Sequence, residues 1–323
     1  MEESNGRLIV VLGMHRSGTS AITRALKVLG VDLGGRLLSA ADGDDGDNET
    51  GFWEDIDFNA LNIELLRAID KDWFYTSPVT QIDLEILNKQ GYFLKAETLV
   101  KEKLKDRTLL GVKDPRMAKL LPFWKEVFAR SDINVNYVLA IRQPLSVVKS
   151  IENRGWEGRE RIFLLWLNYV IQTLSLTDNT SRVIVDYDHL VRDSANELER
   201  MAHSLNLSVD KKELVYYQSE FLDHDLQHSK YQPQDCGLDS DCPALAAEIY
   251  LKLQAVILES GCADDAGFQQ QVMQWTDEFD RLGPMLTYID RTLVESIQAA
   301  GRQRQKESEN ADLRHEVAEN HRK

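Results

Sequence analysis

The stretch GMHRSGTS, residues 13–20, follows the apolar run LIVVL and combines two glycines, three hydroxyl side chains and an arginine. A strand, a tight glycine-containing turn and a helix, in that order, present backbone N–H groups and a helix N-terminus to an anion. Gly13 and Gly18 have the spacing of a nucleotide-binding phosphate loop, but Thr19 stands where that pattern has lysine. The cation here is Arg16, whose planar guanidinium can bind a terminal anionic group through two hydrogen bonds. The sequence therefore predicts an anion site.

A second stretch, IRQPLSVVKS at residues 141–150, also combines a cation with a hydroxyl side chain. Arg142 ends an apolar run, Pro144 suits the first turn of a helix, and Ser150 follows about two helical turns later. An arginine at a strand end and a serine on the next helix can bind a second phosphate, remote from the first. Taken singly, the motif is more typical of a structural strand exit. Its combination with the unusual turn favours binding.

These stretches need a sheet to position them. Short apolar runs rich in β-branched residues predict four strands, at Arg7–Leu12, 109–114, 135–142 and 182–187. A helix is predicted over residues 19–29, ending at Gly30, which suits a left-handed C-terminal cap. Strands alternating with helices predict an α/β fold with a P-loop-type, mostly parallel sheet and helices on both faces, followed by a C-terminal helical extension.

The chain is predicted to have three parts. Residues 1–235 form the P-loop domain, and residues 236–298 form a helical extension packed on it. Residues 299–323 are almost wholly polar, with Leu313 and Val317 as the only sizeable apolar residues, so they cannot bury a face alone. We therefore expect a solvated helix, a weak coiled coil or a linker there, and a candidate surface for forming a homodimer or a larger assembly.

The composition restricts the partners. A formal net charge of −15 excludes a general nucleic-acid binder, because neutralising phosphates along a duplex takes a basic surface. The acidic start MEESNGR does not resemble a secretory signal, and no run approaches the roughly 18 apolar residues of a membrane helix. We therefore expect a cytoplasmic protein without an integral membrane segment.

The three cysteines are Cys236, Cys242 and Cys262. Their spacing matches no metal site, and three are too few for a disulfide framework. We expect them to be reduced, structural thiols, and we expect no metal.

At the two motifs, the chain resembles the sulfotransferases that use 3′-phosphoadenosine-5′-phosphosulfate. In that family a strand-loop-helix written [KR]-[ST]-G-[ST]-[ST] binds the 5′-phosphosulfate, matched here by Arg16, Ser17, Gly18, Thr19 and Ser20. An Arg-x-Pro with a serine eight residues after the arginine binds the 3′-phosphate, matched by Arg142 and Ser150. The segment VDYDHLVRD, residues 185–193, is similar to a third family segment, and the resemblance covers about residues 7–232.

Sulfuryl transfer needs fixed charges that stabilise the oxygens on which negative charge grows. It does not chemically require a metal. Arg16 is the first candidate for this role. Lys113, in GVKDPR, is the second, because it ends a predicted strand where ligands of parallel sheets bind and resembles the lysine of a K-D-P segment in protein-tyrosine sulfotransferases. The alternative is that Lys113 belongs to a structural ion network with Asp114 or Arg116.

A carboxylate is needed to take the acceptor's proton. In ETGFWED, Glu54 follows two aromatic residues that could desolvate it and raise its pKa. By resemblance, Glu54 best matches a glutamate that acts as base in related sulfotransferases, with Asp55 and Asp57 as the next candidates. The alternative is that the aromatics are core anchors and Glu54 caps or pairs nearby. We call residues 13–20 the phosphate turn, after the ligand expected there. We expect His15, inside this turn, to contact ligand or backbone rather than to act as base.

Two further stretches carry less specific signals. Residues 221–231 contain His224, His228 and Lys230, which suits a role at the donor or the acceptor but lacks the form of a zinc motif. Trp156 stands between arginines and is a candidate platform for a sugar ring or an anionic acceptor, or equally a loop aromatic that covers the sheet.

The favoured function is an enzyme, a sulfotransferase that acts on a hydroxyl acceptor, with a carbohydrate as the favoured class. One alternative is a P-loop kinase using ATP and Mg²⁺, in which Asp186 of VIVD would hold the metal. Another is a non-catalytic adaptor with a nucleotide fold and a coiled-coil tail. The missing phosphate-loop lysine argues against the kinase, and the set of candidate catalytic residues argues against the adaptor.

Overall fold

The computed structural model describes residues 6–39, 51–156, 158–222, 231–258 and 265–320, with side chains described as far as residue 307. The four strands form one parallel sheet in the order β2-β1-β3-β4, with β1 at Arg7–Leu12, β2 at Leu109–Lys113, β3 at Asn134–Ile141 and β4 at Arg182–Asp186. Each predicted strand is confirmed to within one residue at either end. The predicted α/β fold class is also confirmed.

The sheet is buried on both faces. Along β1, Leu8, Val10 and Leu12 belong to one apolar core, whereas Ile9 and Val11 belong to the other. This alternation follows from the period-two geometry of a strand. Both layers are helical, which explains why the strand sequences are continuously apolar rather than alternating with polar residues.

Fourteen α-helices are assigned in the described part of the chain. They are α1 (Thr19–Ala25), α2 (Ile56–Ala68), α3 (Gln81–Lys89), α4 (Tyr92–Leu104), α5 (Pro115–Lys119), α6 (Leu121–Arg130), α7 (Pro144–Glu152), α8 (Arg159–Leu176), α9 (Tyr187–Arg192), α10 (Ser194–Ser204), α11 (Lys211–Tyr216), α12 (Ala244–Leu258), α13 (Ala266–Asp280) and α14 (Gly283–Asn320). Short 3₁₀ helices occupy Leu26–Leu29 and Pro233–Leu238, and a π turn occupies Tyr217–Phe221. No helix within these described ranges is both long and apolar enough to cross a membrane.

The first helical segment follows the sequence prediction. Helix α1 begins directly after Gly18, and the 3₁₀ turn that continues it ends at Gly30, whose φ of 74° is left-handed. Glycine adopts this conformation without steric penalty, which accounts for the sharp end of the segment.

The C-terminal helices pack on the sheet domain through polar as well as apolar contacts. From α12, Tyr250 and Gln254 donate to the Asp186 carboxylate at the end of β4, over 3.0 and 2.9 Å. From α14, Asp290 accepts hydrogen bonds from the loop between α2 and α3. The predicted boundary at residue 299 lies inside α14, which runs without interruption across it.

The cysteine prediction is wrong for two of the three residues. Cys236 and Cys242 form a disulfide, because the 3₁₀ turn at Pro233–Leu238 and the bend after it bring their Cα atoms to 5.8 Å, within the range a disulfide spans. Cys262 lies outside the described residues.

Candidate functional site

The phosphate turn is strongly curved. Arg16 has a φ of 70° and Gly18 a φ of 77°, both left-handed. A Cβ at Gly18 would come within 2.1 Å of the Tyr187 ring, and one at Gly13 within 2.6 Å of the Ala140 carbonyl oxygen. Left-handed backbone at a non-glycine residue such as Arg16 costs about 1–3 kcal/mol and tends to occur where a ligand is bound. Two glycines and a strained arginine therefore shape this turn.

The two arginine motifs are in direct contact. Arg16 Nε donates to Ser150 Oγ over 3.0 Å, and Arg142 Nη1 donates to the Arg16 carbonyl oxygen over 3.3 Å. The parallel pairing of β1 with β3 produces this arrangement, because the turn after β1 and the start of α7 then lie side by side. The residues predicted to bind two separate phosphates thus line one continuous region at the carboxyl edge of the sheet.

This region concentrates positive charge. Burial, together with the charges of Arg154 and Arg142, lowers the pKa of Arg16 to about 10, while Tyr187 acts in the opposite direction. Arg142 lies over the Tyr187 ring at 4.6 Å. Its buried Nε makes no hydrogen bond to any described residue, and an Asp188 oxygen lies 3.8 Å away. Neighbouring guanidinium groups repel one another, so an anion bound among them would be stabilised.

Ser17, Thr19 and Ser20 form the wall of the turn. Ser17 and Thr19 are buried. The Ser20 hydroxyl donates to the Phe52 carbonyl oxygen over 3.2 Å and accepts from Lys113 Nζ over 3.3 Å. Ser20 thereby joins the turn to the segment that carries Glu54.

Lys113 and Glu54 form a buried ion pair, with 2.7 Å between Lys113 Nζ and Glu54 Oε1. The other carboxylate oxygen of Glu54 accepts from Asn59 Nδ2 over 2.8 Å, and Arg116 lies 3.9 Å from it. Lys113 ends β2, and Glu54 precedes α2. The structure therefore brings together the two residues that the sequence proposed separately as a cation and a base.

The neighbouring carboxylates have structural contacts of their own. Asp55 caps α2 by accepting from the N–H groups of Asp57 and Phe58, and it pairs with Lys103 over 2.5 Å. Asp57 pairs with Lys103 over 2.7 Å and with Arg36 over 3.1 Å. Glu54 is thus the member of this group that is linked to the phosphate turn, through Lys113 and its hydrogen bond to Ser20.

The sequence offered a structural ion network of Lys113 with Asp114 or Arg116 as the alternative to a catalytic role. Asp114 and Arg116 do pair with each other, but Lys113 pairs with Glu54. Asp114 caps α5, is 3.1 Å from Arg116 Nη1, and accepts from Asn62 Nδ2 over 3.0 Å. Burial raises the pKa of Asp114, Arg116 opposes that shift, and the charge of Glu54 adds to it.

His15 connects the turn to a group of aromatic side chains. Its ring centroid lies 4.2 Å from that of Trp73, which in turn lies 5.0 Å from that of Trp156. Burial and the positive charges of Arg116, Lys113 and Arg16 hold the pKa of His15 well below its usual range, so this imidazole is neutral at pH 7. Its buried Nδ1 has no hydrogen-bond partner among the described residues.

Sequence reasoning missed several of these residues. Asn59, which donates a hydrogen bond to Glu54, lies in the first turn of α2. Its distance of five residues from Glu54 in the sequence becomes informative only when the direction of the Glu54 side chain is known. Trp73 lies in a loop with no motif around it. The segment 223–230, which includes His224, His228 and Lys230, lies outside the described residues.

Asp186, the residue that the kinase alternative requires, is fully engaged in structural contacts. One carboxylate oxygen accepts from Tyr250 and Gln254, and the other accepts from the N–H groups of Asp188 and His189 at the start of α9. In the ranges described, no group of three or more histidine, cysteine, aspartate or glutamate side chains has the geometry of a metal site.

No family model matches the chain, and no curated protein sequence matches it. Among solved structures, the sulfotransferase domain of the Synechococcus PCC 7002 olefin synthase is similar at 16% identity and a TM-score of 0.40, covering 87% of this chain and 97% of that domain. The sulfotransferase domain from the curacin biosynthetic pathway is similar at 14% identity and a TM-score of 0.41, covering 77% and 98%.

Proposed function

We propose that this protein is a sulfotransferase that moves a sulfuryl group from 3′-phosphoadenosine-5′-phosphosulfate to the hydroxyl of an acceptor, with a carbohydrate as the favoured class. The observation that carries the proposal is the contact between the two arginine motifs, Arg16 with Ser150 and Arg142 with the Arg16 carbonyl. Spacing alone suggested two anion sites. Their contact supports one molecule with two anionic groups as the ligand.

The residues present fit this donor. The turn packs closely against Ala140 and Tyr187 because Gly13 and Gly18 carry no side chain, and this packing fixes the backbone that would face the donor. The Nε of Arg142 is buried with no hydrogen-bond partner among the residues described, as expected of a guanidinium that a bound anion would complete. The donor would supply the activated sulfuryl group. Arg16 and the turn would hold its 5′ end, and Arg142 with Ser150 its 3′-phosphate.

The ion pair of Lys113 and Glu54 is assigned to the transfer itself. In the proposed reaction, a bond forms between the acceptor oxygen and sulfur, and the bond from sulfur to the 5′-phosphate oxygen breaks. Glu54 takes the proton of the acceptor hydroxyl. Lys113 and Arg16 stabilise the charge that develops on the transferred group and on the leaving phosphate.

The contacts of Asp186 argue against the kinase alternative. A magnesium ligand needs a carboxylate oxygen directed to the phosphates. Both oxygens of Asp186 instead accept hydrogen bonds from α9 and α12.

Calorimetric titration with adenosine 3′,5′-bisphosphate, beside ATP with Mg²⁺, tests the donor assignment. We expect the bisphosphate to bind and Arg142→Ala to weaken that binding. Binding of ATP with Mg²⁺ alone would instead make the kinase the leading function. Binding of the bisphosphate without turnover of the phosphosulfate, across a broad panel of hydroxyl acceptors, would favour the adaptor.

A further inference from the structure

Four aromatic rings beside the phosphate turn form a connected group. We call His15, Trp73, Phe74 and Trp156 the aromatic row. The distance between ring centroids is 4.2 Å for His15 and Trp73, and 5.0 Å for Trp73 and Trp156. The Phe74 centroid lies 5.7 Å from that of Trp73 and 5.3 Å from that of Trp156. All four residues are partly exposed, unlike core rings such as Trp124 and Trp166, which are fully buried. The row therefore offers apolar surface that begins one residue from Arg16.

The loop that carries Trp73 is held rigidly from α14. Asp290 accepts from Thr76 N over 2.7 Å, from Thr76 Oγ1 over 2.9 Å and from Ser77 N over 2.8 Å. The Asp290 side chain reaches this loop across more than 200 residues of sequence, and all of these groups are buried.

Helices α5 and α8 hold the same loop. The fully buried Lys119 donates to the carbonyl oxygens of Tyr75 and Ser77, over 2.5 and 2.9 Å. Tyr169 Oη donates to the Trp73 carbonyl oxygen over 3.0 Å. A surface loop fixed by three helices has little conformational entropy left to lose, which is the property of a preorganised binding site.

Arg161 adds a cation beside Trp156 in the aromatic row. Its guanidinium carbon lies 5.8 Å from the centroid of Trp156. Its Nη1 is buried and has no hydrogen-bond partner among the residues described. Burial lowers the pKa of Arg161 and the charge of Asp290 raises it. The oxygens of Asp290, however, accept from Thr76 and Ser77.

Arg159, two residues earlier, shows the contrast. It pairs with Glu152 over 3.5 Å, with Asp239 over 2.5 Å and with Asp241 over 3.3 Å. For Arg161, no ion pair with a carboxylate is found within the described part of the chain. Arg159 Nε is also buried without a hydrogen bond to any residue in the described ranges, so the two arginines differ in the carboxylates that compensate the charge of Arg159. A buried guanidinium N–H without such compensation is costly unless a ligand completes it.

We propose that the aromatic row and Arg161 bind the acceptor, and that the acceptor is a pyranose bearing a carboxylate. This inference rests on the proposed sulfuryl transfer. The ring faces cover the apolar C–H face of the sugar, and the guanidinium of Arg161 binds the carboxylate through two hydrogen bonds. A neutral sugar or a phenol would leave Arg161 uncompensated.

The test uses the full chain saturated with adenosine 3′,5′-bisphosphate. Tetramers of galacturonate, glucuronate and mannuronate are titrated calorimetrically, each beside its methyl-esterified counterpart, which has the same backbone without the charge. We expect at least one acidic tetramer to bind more than tenfold tighter than its ester. Arg161→Gln should abolish that difference and leave binding of the ester unchanged.

The matched control is Arg291→Gln, because Arg291 also lies over an aromatic ring, that of Tyr288 at 5.4 Å, but on the exposed part of α14. We expect it to bind every probe like the parent. Trp156→Leu should weaken acid and ester alike, by about tenfold.

Bisphosphate binding without a preference for any acid over its ester would overturn this inference and leave the proposed function intact. Tighter binding of 4-nitrophenol than of every acidic tetramer would overturn it as well. Failure of the bisphosphate to bind would instead remove the proposed function.

Discussion

The carboxyl edge of the sheet carries two charged regions that differ in their balance. Around Arg16, burial and the guanidinium charges of Arg154 and Arg142 lower the pKa of its side chain, which donates a hydrogen bond to the uncharged Ser150. The carboxylate of Asp188 lies 3.8 Å from Arg142. Around Lys113, by contrast, each cation faces a carboxylate, Glu54 in one case and Asp114 in the case of Arg116. Cations predominate in the first region, which we call the incomplete region, whereas cations and carboxylates are paired in the second, which we call the complete region.

The difference suggests that the two regions have separate roles. A region of like charges gains stability when an anion binds, whereas a neutral ion pair gains little from one. A neutral pair has a different use, because a proton can move onto its carboxylate while its ammonium remains to stabilise negative charge nearby. We therefore assign binding to the first region and transfer to the second.

Arg16→Ala is the largest expected disruption of the incomplete region. Removing a guanidinium that stabilises developing charge should lower kcat/KM by about 10³-fold, or about 4 kcal/mol. Steady-state kinetics with the phosphosulfate donor measure this effect. Arg36→Ala, at an exposed arginine that pairs with Asp57, is the control and should behave like the parent. Unchanged kinetics in Arg16→Ala would mean that the turn is not the donor site.

Glu54→Gln tests the complete region. The amide keeps the shape of the side chain but is a poor proton acceptor, so we expect kcat to fall by about 10²-fold while the affinity for adenosine 3′,5′-bisphosphate stays the same. Kinetics and calorimetry on the same preparation separate the two effects. Asp55→Asn serves as a comparison, because Asp55 caps α2; it should lower stability more than turnover. Parent-like turnover in Glu54→Gln would move the base elsewhere.

Arg142→Ala sharpens the distinction between binding and transfer. Loss of a charged hydrogen bond to a bound anion costs about 1.5–3 kcal/mol, so the dissociation constant of the bisphosphate should rise about tenfold to a hundredfold. At saturating donor, kcat should change much less. If kcat falls and binding is unaffected, the assignment of the two regions is wrong.

Asp186 gives the smallest expected effect, on stability. Burial, with the charge of Asp188, raises its pKa to about 6, against 3.8 in the unfolded chain. The folded protein therefore holds this proton more tightly, and the stability gained from protonation is lost as the pH rises through 6. Between pH 5 and pH 7 this contribution to the free energy of unfolding should fall by about 1 kcal/mol.

Urea denaturation of the parent and of Asp186→Asn, each at pH 5 and at pH 7, gives the difference in unfolding free energy between the two proteins at each pH. The change in that difference between the two pH values measures the contribution of Asp186. An equal pH dependence in the two proteins would show that Asp186 is not the group responsible.

The parts of the fold that are local in sequence were predictable. Buried parallel strands need continuous apolar runs, so β1 to β4 were identified to within a residue. The turn between β1 and α1, and the helix that begins at Pro144, were predictable because their spacing is set by one strand, one turn and one helix. These features depend on neighbours a few positions away.

The parts that depend on distant contacts were not predictable. Asp290 contacts Thr76 across 214 positions, and nothing around either residue signals the other. The Cys236 and Cys242 disulfide depends on the bend between them, which their spacing does not reveal. The pairing of Lys113 with Glu54 likewise follows from where α2 begins relative to β2, a matter of packing rather than pattern.

The close fit of Gly18 against Tyr187 has a consequence for how this sequence can vary. A side chain at position 18 would occupy the space of the Tyr187 ring, and position 187 in turn carries the ring beneath Arg142. A substitution at one of these positions therefore requires a substitution at the other. Among homologues that keep both arginines, we expect glycine at 18 and an aromatic ring at 187 to be inherited together, and any change at one to be accompanied by a compensating change at the other.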